Sequence, residues 1–306
     1  MHKYLSSSTL ATVVIAAKAG RLGNRLFLSA YFMANARALG YPLLNPALGE
    51  YIPLFEGSAY DPFSHFPVRK KRRDPEFAYQ CSEVLLGLAS GSGVLARTLG
   101  MPGVSQLDIR ASHDAKDQNY DLCGEGFGEA LHSSRFLIVK GWKFRDDSNL
   151  VRFNSEISRY FRPVASIRRP AETALEQARQ AGDYIVGVHI RQGDYRNWKN
   201  GVHYFETEQY AYWMRELVAL LPEKKVSFLL CASDPIDRSH FRGLAIVDGP
   251  GTVVSDLHAL SLCDAIIGPP STFSTWASYA GRVPLCMLQH AGQKIALHDL
   301  VLHDRV

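Results

Sequence analysis

The sequence predicts an α/β protein of two Rossmann-like domains facing across a cleft, residues 1–165 and 166–306. Three observations carry that expectation. The chain begins with a short β-branched run that feeds a glycine-rich turn and an apolar-spaced helix, its second half alternates apolar strands with helices, and a proline-bounded, arginine-rich linker separates the two patterns. Such alternation implies parallel, doubly wound sheets, which bind ligands outside the carboxyl ends of their strands. A length of 306 residues suits two medium domains.

Thr12 to Ala17 reads as a buried first strand. The opening "MHKYLSSSTLATVVIAAKAG" also has the basic start and apolar stretch of a secretory signal, with Ala17-Lys18-Ala19 as its cleavage site. The strand reading is preferred, because cleavage there removes the strand that positions the next loop. Leu22 to Leu39 places Leu26, Phe27, Ala30, Tyr31, Ala34 and Ala38 at helical spacing, and Gly40 and Pro42 stop the helix. From about 45 to 135, four prolines (Pro53, Pro62, Pro67, Pro75), the basic run "RKKRR" at 69–73 and the segment "LASGSG" predict loops with short helices. "RFLIVKGWKF" (135–144) predicts a strand returning to the first sheet. "FRPVASIRRPAETALEQARQAG" (161–182) predicts a linker leading into a polar helix.

The second unit reads as strand "YIVGVHI", helix "TEQYAYWMRELVALL", strands "VSFLLCAS" and "LAIVD", helix "VSDLHALSLC", strand "AIIG", helix "TFSTWASYAG" and strand "VPLCML". Tyr210, Trp213 and Met214 sit at helical spacing and read as packing.

Composition narrows the function. A net charge of +4 over this length suggests weak attraction to anionic ligands and lacks the footprint of a nucleic-acid binder. The five cysteines are odd in number, scattered and free of any CxxC pair, which points to a reducing compartment and away from a disulfide framework or zinc site. No apolar run reaches the roughly 18 residues of a membrane span. These features point to a cytoplasmic location, and the family resemblance described below adds the expectation of a bacterial protein. The run at 69–73 reads either as a solvated loop or as a patch for anionic lipid headgroups, which gives peripheral membrane contact.

Three segments fall at expected strand ends: "GRLGN" (20–24), "GVHIRQGDY" (187–195) and "GPPSTFST" (268–275). Glycine allows close backbone approach, arginine supplies a bidentate fork, and a helix start with Ser and Thr supplies oriented donors. Together they describe a diphosphate site. The chain contains no Asp-x-Asp pair to hold a divalent metal against a sugar nucleotide, so no metal is expected. GxGxxG and GxxxxGK[ST] are also absent, which argues against nicotinamide and P-loop enzymes. Arg191, at the end of an apolar strand, requires a partner.

"GRLGNRLF", "HIRQGDY" and "SDLHALSLCDAIIGPPSTFSTWASYAG" resemble the three blocks of the α-1,2-fucosyltransferases and their α-1,6 and protein O-fucosyltransferase relatives, about 45 residues in matching order. The resemblance implies a GT-B type fold and inverting, metal-independent transfer of fucose from GDP-fucose to an oligosaccharide or lipid-linked glycan, with an α-1,2 linkage, in surface polysaccharide synthesis. It implies that Arg191 holds the diphosphate and that Gly23, Asn24 and the adjoining Arg25 face the diphosphate and reacting sugar. By the same resemblance Ser271, Thr272 and Phe273 contact phosphate, and Asp256 and His189 contact the guanine or ribose side. Two positions depart from the α-1,2 pattern: Gln192 stands where a second arginine is usual, and Arg25 where glutamine is usual.

Several residues keep a structural reading beside the functional one. Asn24 can cap the helix it begins, His189 can be a core histidine, and Phe273 and Trp276 read more readily as core than as sugar platforms. Asp194 can fix the turn, orient the arginine, or act as general base, with Glu206 or Glu208 as the second candidates for a base. Two other classes fit the same blocks: a GT-B transferase using another nucleotide sugar, and an inactive nucleotide- or glycan-binding protein.

Overall fold

The computed structural model describes residues 10–61, 63–68, 74–99, 103–110 and 118–306. The basic run 69–73 lies outside the described residues. The chain forms two compact units, Met1–Arg162 and Pro163–Val306.

The first unit opens with β1 (Thr12–Ile15), a buried strand, and α1 (Leu22–Leu39). β1 is the central strand of its sheet, hydrogen-bonded on both sides, as a β-branched apolar run favours. Gly40 closes α1 in the left-handed conformation that glycine adopts without steric cost, and its N–H donates to the Ala36 carbonyl. β2 (Leu43–Leu44) is followed by a 3-10 segment Pro46–Leu54, then β3 (His65–Phe66) and α2 (Pro75–Leu99). β4 (Val104–Asp108), β5 (Tyr120–Asp121), α3 (Glu125–Ser133), β6 (Phe136–Lys140), β7 (Phe144–Arg145), α4 (Asp147–Arg152) and α5 (Asn154–Tyr160) complete the unit.

The sheet order is β3-β2-β1-β6-β4, parallel except for β3. β5 and β7 form a separate parallel pair. Two expectations need correction. The stretch 45–135 is not loops with short helices only, since α2 runs for 25 residues through the Gly/Ser-rich segment. Each glycine in a helix costs about 1 kcal/mol relative to alanine, but Ala78, Ser82 and Ala89 are buried along this helix and tertiary packing overrides the local signal. The stretch 135–144 is not one strand either: Gly141, at φ 124°, breaks it, so β6 joins the main sheet and β7 the small one.

The second unit contains α6 (Ala165–Ala181), β8 (Tyr184–Ile190), α7 (Thr207–Leu220), β9 (Val226–Ala232), β10 (Ile246–Asp248), α8 (Val253–Leu260), β11 (Ala265–Gly268), α9 (Thr272–Gly281) and β12 (Leu285–Met287). The sheet is parallel, ordered β10-β9-β8-β11-β12. β8 pairs with β9 over seven rungs, from Tyr184↔Val226 to Ile190↔Ala232. Apolar residues fill β8 because both its faces are covered. On α7 the fully buried face is Tyr210, Trp213, Met214 and Leu217, and the Trp213 indole N–H donates to the Gln293 carbonyl at 2.8 Å. That helix face is core.

Candidate functional site

In the second sheet the chain winds one way from β8 to β10 and the other way through β11 and β12, so β8 and β11 are neighbours at the point where the order reverses. Diverging connections leave a crevice at the carboxyl ends of these two strands. Arg191 follows β8 there, and Ser271 follows β11 after two prolines.

The two residues meet. Arg191 Nη1 donates to Ser271 Oγ at 3.2 Å, while Nε and Nη2 donate to the two carboxylate oxygens of Asp194 at 3.1 and 2.9 Å. The guanidinium lies 4.5 Å from the centre of the Tyr195 ring, and the Tyr195 hydroxyl donates to the Pro270 carbonyl at 2.6 Å. Tyr195 therefore ties the turn after β8 to the loop after β11 and supports the arginine from one face.

Ser271 is the N-cap of α9: its backbone is extended and its Oγ accepts the Phe273 N–H at 3.2 Å. Thr272 and Phe273 form the first turn, where backbone N–H groups have no helical partner of their own. The Phe273 ring packs against His189, with centroids 4.9 Å apart. His189 is buried, and burial together with the Arg191 charge lowers its pKa to about 3. It is a neutral imidazole, and its Nδ1 has no hydrogen-bond partner among the described residues.

Asp256 sits on α8 and lines a cavity of about 390 Å³ with Asp234, Arg238, Asp248, Gly249 and Gly251. Burial raises its pKa to about 6, against the opposing hydrogen bond from the Gly251 N–H at 2.8 Å. Arg238 and Asp248 form an ion pair on the cavity wall. Asp234 accepts the Gly193 N–H at 3.0 Å and so links this wall to the turn that carries Arg191 and Asp194. Leu230, Ala232, Pro235 and Ile236 complete the lining, so the cavity offers apolar walls beside its polar groups.

The remaining predicted residues belong to the first unit. Gly23 and Asn24 lie in the first turn of α1, whose N-cap is Arg21. Asn24 does not begin the helix as its cap; its side chain folds over Gly20, where an added Cβ would come within 2.4 Å of the Asn24 amide nitrogen. Arg25 donates to Glu50 at 2.8 Å and to the Gly20 and Leu48 carbonyls, and it stands 5.1 Å from the centre of the Tyr51 ring. Its charge is matched by Glu50 within the same unit. Glu206 is the N-cap of α7 and Glu208 lies in its first turn; both are exposed.

The structure thus assembles Arg191, Asp194, His189, Ser271, Thr272 and Phe273 in one place and sets Asp256 in a cavity linked to it through Asp234. Tyr195 and Asp234 were not singled out from the sequence. Tyr195 stands in the block that carries Arg191, so its spacing was visible; for Asp234 there was no signal. No group of three or more His, Cys, Asp or Glu side chains among the described residues is placed to hold a metal ion.

Two Rossmann-like units, each with a parallel-sheet reversal, define the chain as a protein of the GT-B type fold. Solved fucosyltransferases share this architecture. A mutant of Arabidopsis thaliana FUT1 in complex with GDP superimposes with a TM-score of 0.62 at 16% identity, over 94% of this chain and 72% of that one. POFUT1 in complex with GDP-fucose gives 0.53 at 14% identity, over 95% and 97%. The fucosyltransferase NodZ from Bradyrhizobium gives 0.52 at 17% identity, over 91% and 96%. No protein-family model matches the sequence. No curated protein matches it by sequence.

Proposed function

We propose that the protein is an inverting glycosyltransferase that moves fucose from GDP-fucose to a glycan hydroxyl, forming an α-1,2 linkage, without a protein-held metal. The observation that carries this reading is the Arg191–Ser271 contact at the sheet reversal: a bidentate cation and a capped helix start converge on one crevice. Charge-assisted hydrogen bonds of this kind contribute about 1.5–3 kcal/mol each, enough for a few donors to hold a diphosphate. The GDP and GDP-fucose carried by fucosyltransferases of the same fold add support.

In this reading the second unit takes the donor and the first the acceptor. Arg191 and the first turn of α9 (Ser271, Thr272, Phe273) bind the diphosphate, with His189 beneath them as a neutral packing partner. The cavity at Asp256 takes the nucleoside. Gly23 and Asn24, in the first turn of α1, face the reacting sugar, and Arg25 ties the start of that helix to Glu50. The acceptor oxygen attacks the anomeric carbon on the face opposite the diphosphate, the bond from that carbon to the phosphate oxygen breaks, and the acceptor proton leaves to a base or to water. Arg191 and the helix start stabilise the charge that grows on departing GDP, which is where donors fixed in advance lower the barrier most. Both Asp194 oxygens accept from Arg191, which supports a positioning role for Asp194 over that of the base. An oligosaccharide or lipid-linked acceptor, a surface-polysaccharide product and a cytoplasmic, membrane-peripheral location complete the reading and rest on the sequence resemblance and composition.

Calorimetric titration in EDTA with GDP, ADP and UDP tests the donor. Selective GDP binding is expected; preference for another base, or binding only with added Mg²⁺, overturns the donor assignment. Binding of GDP-fucose without transfer to any acceptor of a glycan panel overturns the enzymatic one.

A further inference from the structure

The first sheet also reverses its winding, between β1 and β6, and the carboxyl ends of these strands carry a feature that the donor site does not use. The last shared rung is Ile15↔Val139. Lys18 and Trp142 each lie three residues beyond it, so both stand at the same end of the reversal.

Trp142 is 41% exposed, an unusual state for so large an apolar ring in a strand-end turn. A single exposed aromatic means little by itself. This one is backed and fixed. The Arg145 guanidinium lies 5.0 Å from the centre of the Trp142 ring and 5.0 Å from that of Tyr31, in contact with both. Arg145 is itself buried, and its Nη1 donates to the Trp142 and Phe144 carbonyls, both at 2.9 Å. Tyr31 is fully buried, and its hydroxyl donates to Asp147 at 3.0 Å. The turn that presents the indole is set by Gly141 at φ 124°, where an added Cβ would stand 2.3 Å from Ile109 Cγ1. The stack Tyr31–Arg145–Trp142 therefore runs from the core to the surface and ends in a flat apolar ring held in place.

The end of β1 carries a charged cluster of its own. Lys18 Nζ lies 2.9 Å from Glu83 and 3.5 Å from Glu50, and Glu50 also binds Arg25. A flat ring fixed from behind and open in front matches the apolar C–H face of a pyranose. We propose that Trp142 is a sugar-stacking platform in the first unit that binds one pyranose ring of the acceptor glycan, a ligand class that rests on the transferase reading above. Because the platform is already built, it binds glycan without donor.

The test uses the full chain, labelled fluorescently and applied without donor to an array of mammalian, plant and bacterial glycans, as wild type, Trp142→Phe and Trp142→Ala. Wild type is expected to capture a defined set of glycans, Trp142→Ala to bind them at least about tenfold more weakly, equivalent to ~1.4 kcal/mol of lost stacking, and Trp142→Phe to retain most of the binding. Unchanged capture by Trp142→Ala overturns the platform, and so does a wild type that captures no glycan. Equal urea-unfolding profiles of all three proteins show that the variants are folded in both units, and titration with GDP is expected to give equal affinities. If none of them binds GDP while the tryptophan-dependent capture persists, the donor reading fails and the platform stands.

Discussion

Arg191 and Ser271 stand 80 residues apart in sequence and 3.2 Å apart in space, one at the end of β8 and the other at the start of α9. Arg191 spends three N–H donors on fixed partners before any ligand arrives: two on Asp194 and one on Ser271. A group already held in its working geometry needs no reorganisation during reaction.

Arg191→Ala is expected to lower kcat by 10²-fold or more, the cost of removing a transition-state donor. Arg191→Lys is expected to restore little, because an ammonium cannot grip both oxygens of Asp194 and reach Ser271 at once. Asp194→Asn is expected to lower kcat less than Arg191→Ala and to leave the shape of the pH–rate profile unchanged, as suits a positioning residue. Steady-state kinetics across pH 5 to 9 checks all three; loss of the acidic limb in Asp194→Asn would identify that carboxylate as the base.

Ser271→Ala removes the cap of α9 and the acceptor of Arg191 Nη1 together. The cap alone is worth about 0.5–2 kcal/mol, so the urea midpoint falls, and GDP affinity falls with it. A variant whose midpoint drops while its GDP affinity is untouched would separate helix stability from ligand binding and contradict the arrangement argued for here.

Burial raises Asp256 from 3.8 to about 6. A carboxyl whose folded pKa exceeds its unfolded one contributes stability that is complete below about pH 3.8 and is lost as pH rises through about 6. Wild type is therefore expected to lose stability relative to Asp256→Asn between pH 4 and 7, measured as the difference in urea midpoints at each pH. Donor hydrogen bonds to the carboxylate favour its ionised form, so GDP-fucose, whose diester phosphates do not titrate in this range, should bind wild type more tightly as pH rises through 6. Parallel curves for the two proteins in both measurements would remove Asp256 from the nucleoside site.

Much of the second unit was legible because its signals are local. β8 is a run of apolar residues ending in an arginine, and α9 starts at Thr272 after Gly-Pro-Pro-Ser and ends at Gly281, as the sequence indicates. Local signals failed where packing decides. The serines and glycines of α2 read as a loop, yet that helix stays continuous. The helix start at Leu22 precedes the residue best suited to cap it, and no side chain caps it at all. Tyr195 stands in a legible block, but its tie between the two loops is not readable there because its partner Pro270 is 75 residues away. Trp142 likewise acquires meaning only when the Arg145 guanidinium is seen against both its ring and that of Tyr31.

The pairing of Arg191 with Asp194 also sets a local charge balance: one cation meets one anion at 2.9 Å. In the first unit, Lys18 and Arg25 are offset in the same way by Glu50 and Glu83. Close pairs of this kind exert little long-range pull on an anion. If Arg191 binds the diphosphate proposed above, these pairs add little steering, and selection at that residue depends on how well each anion matches donors aimed in advance.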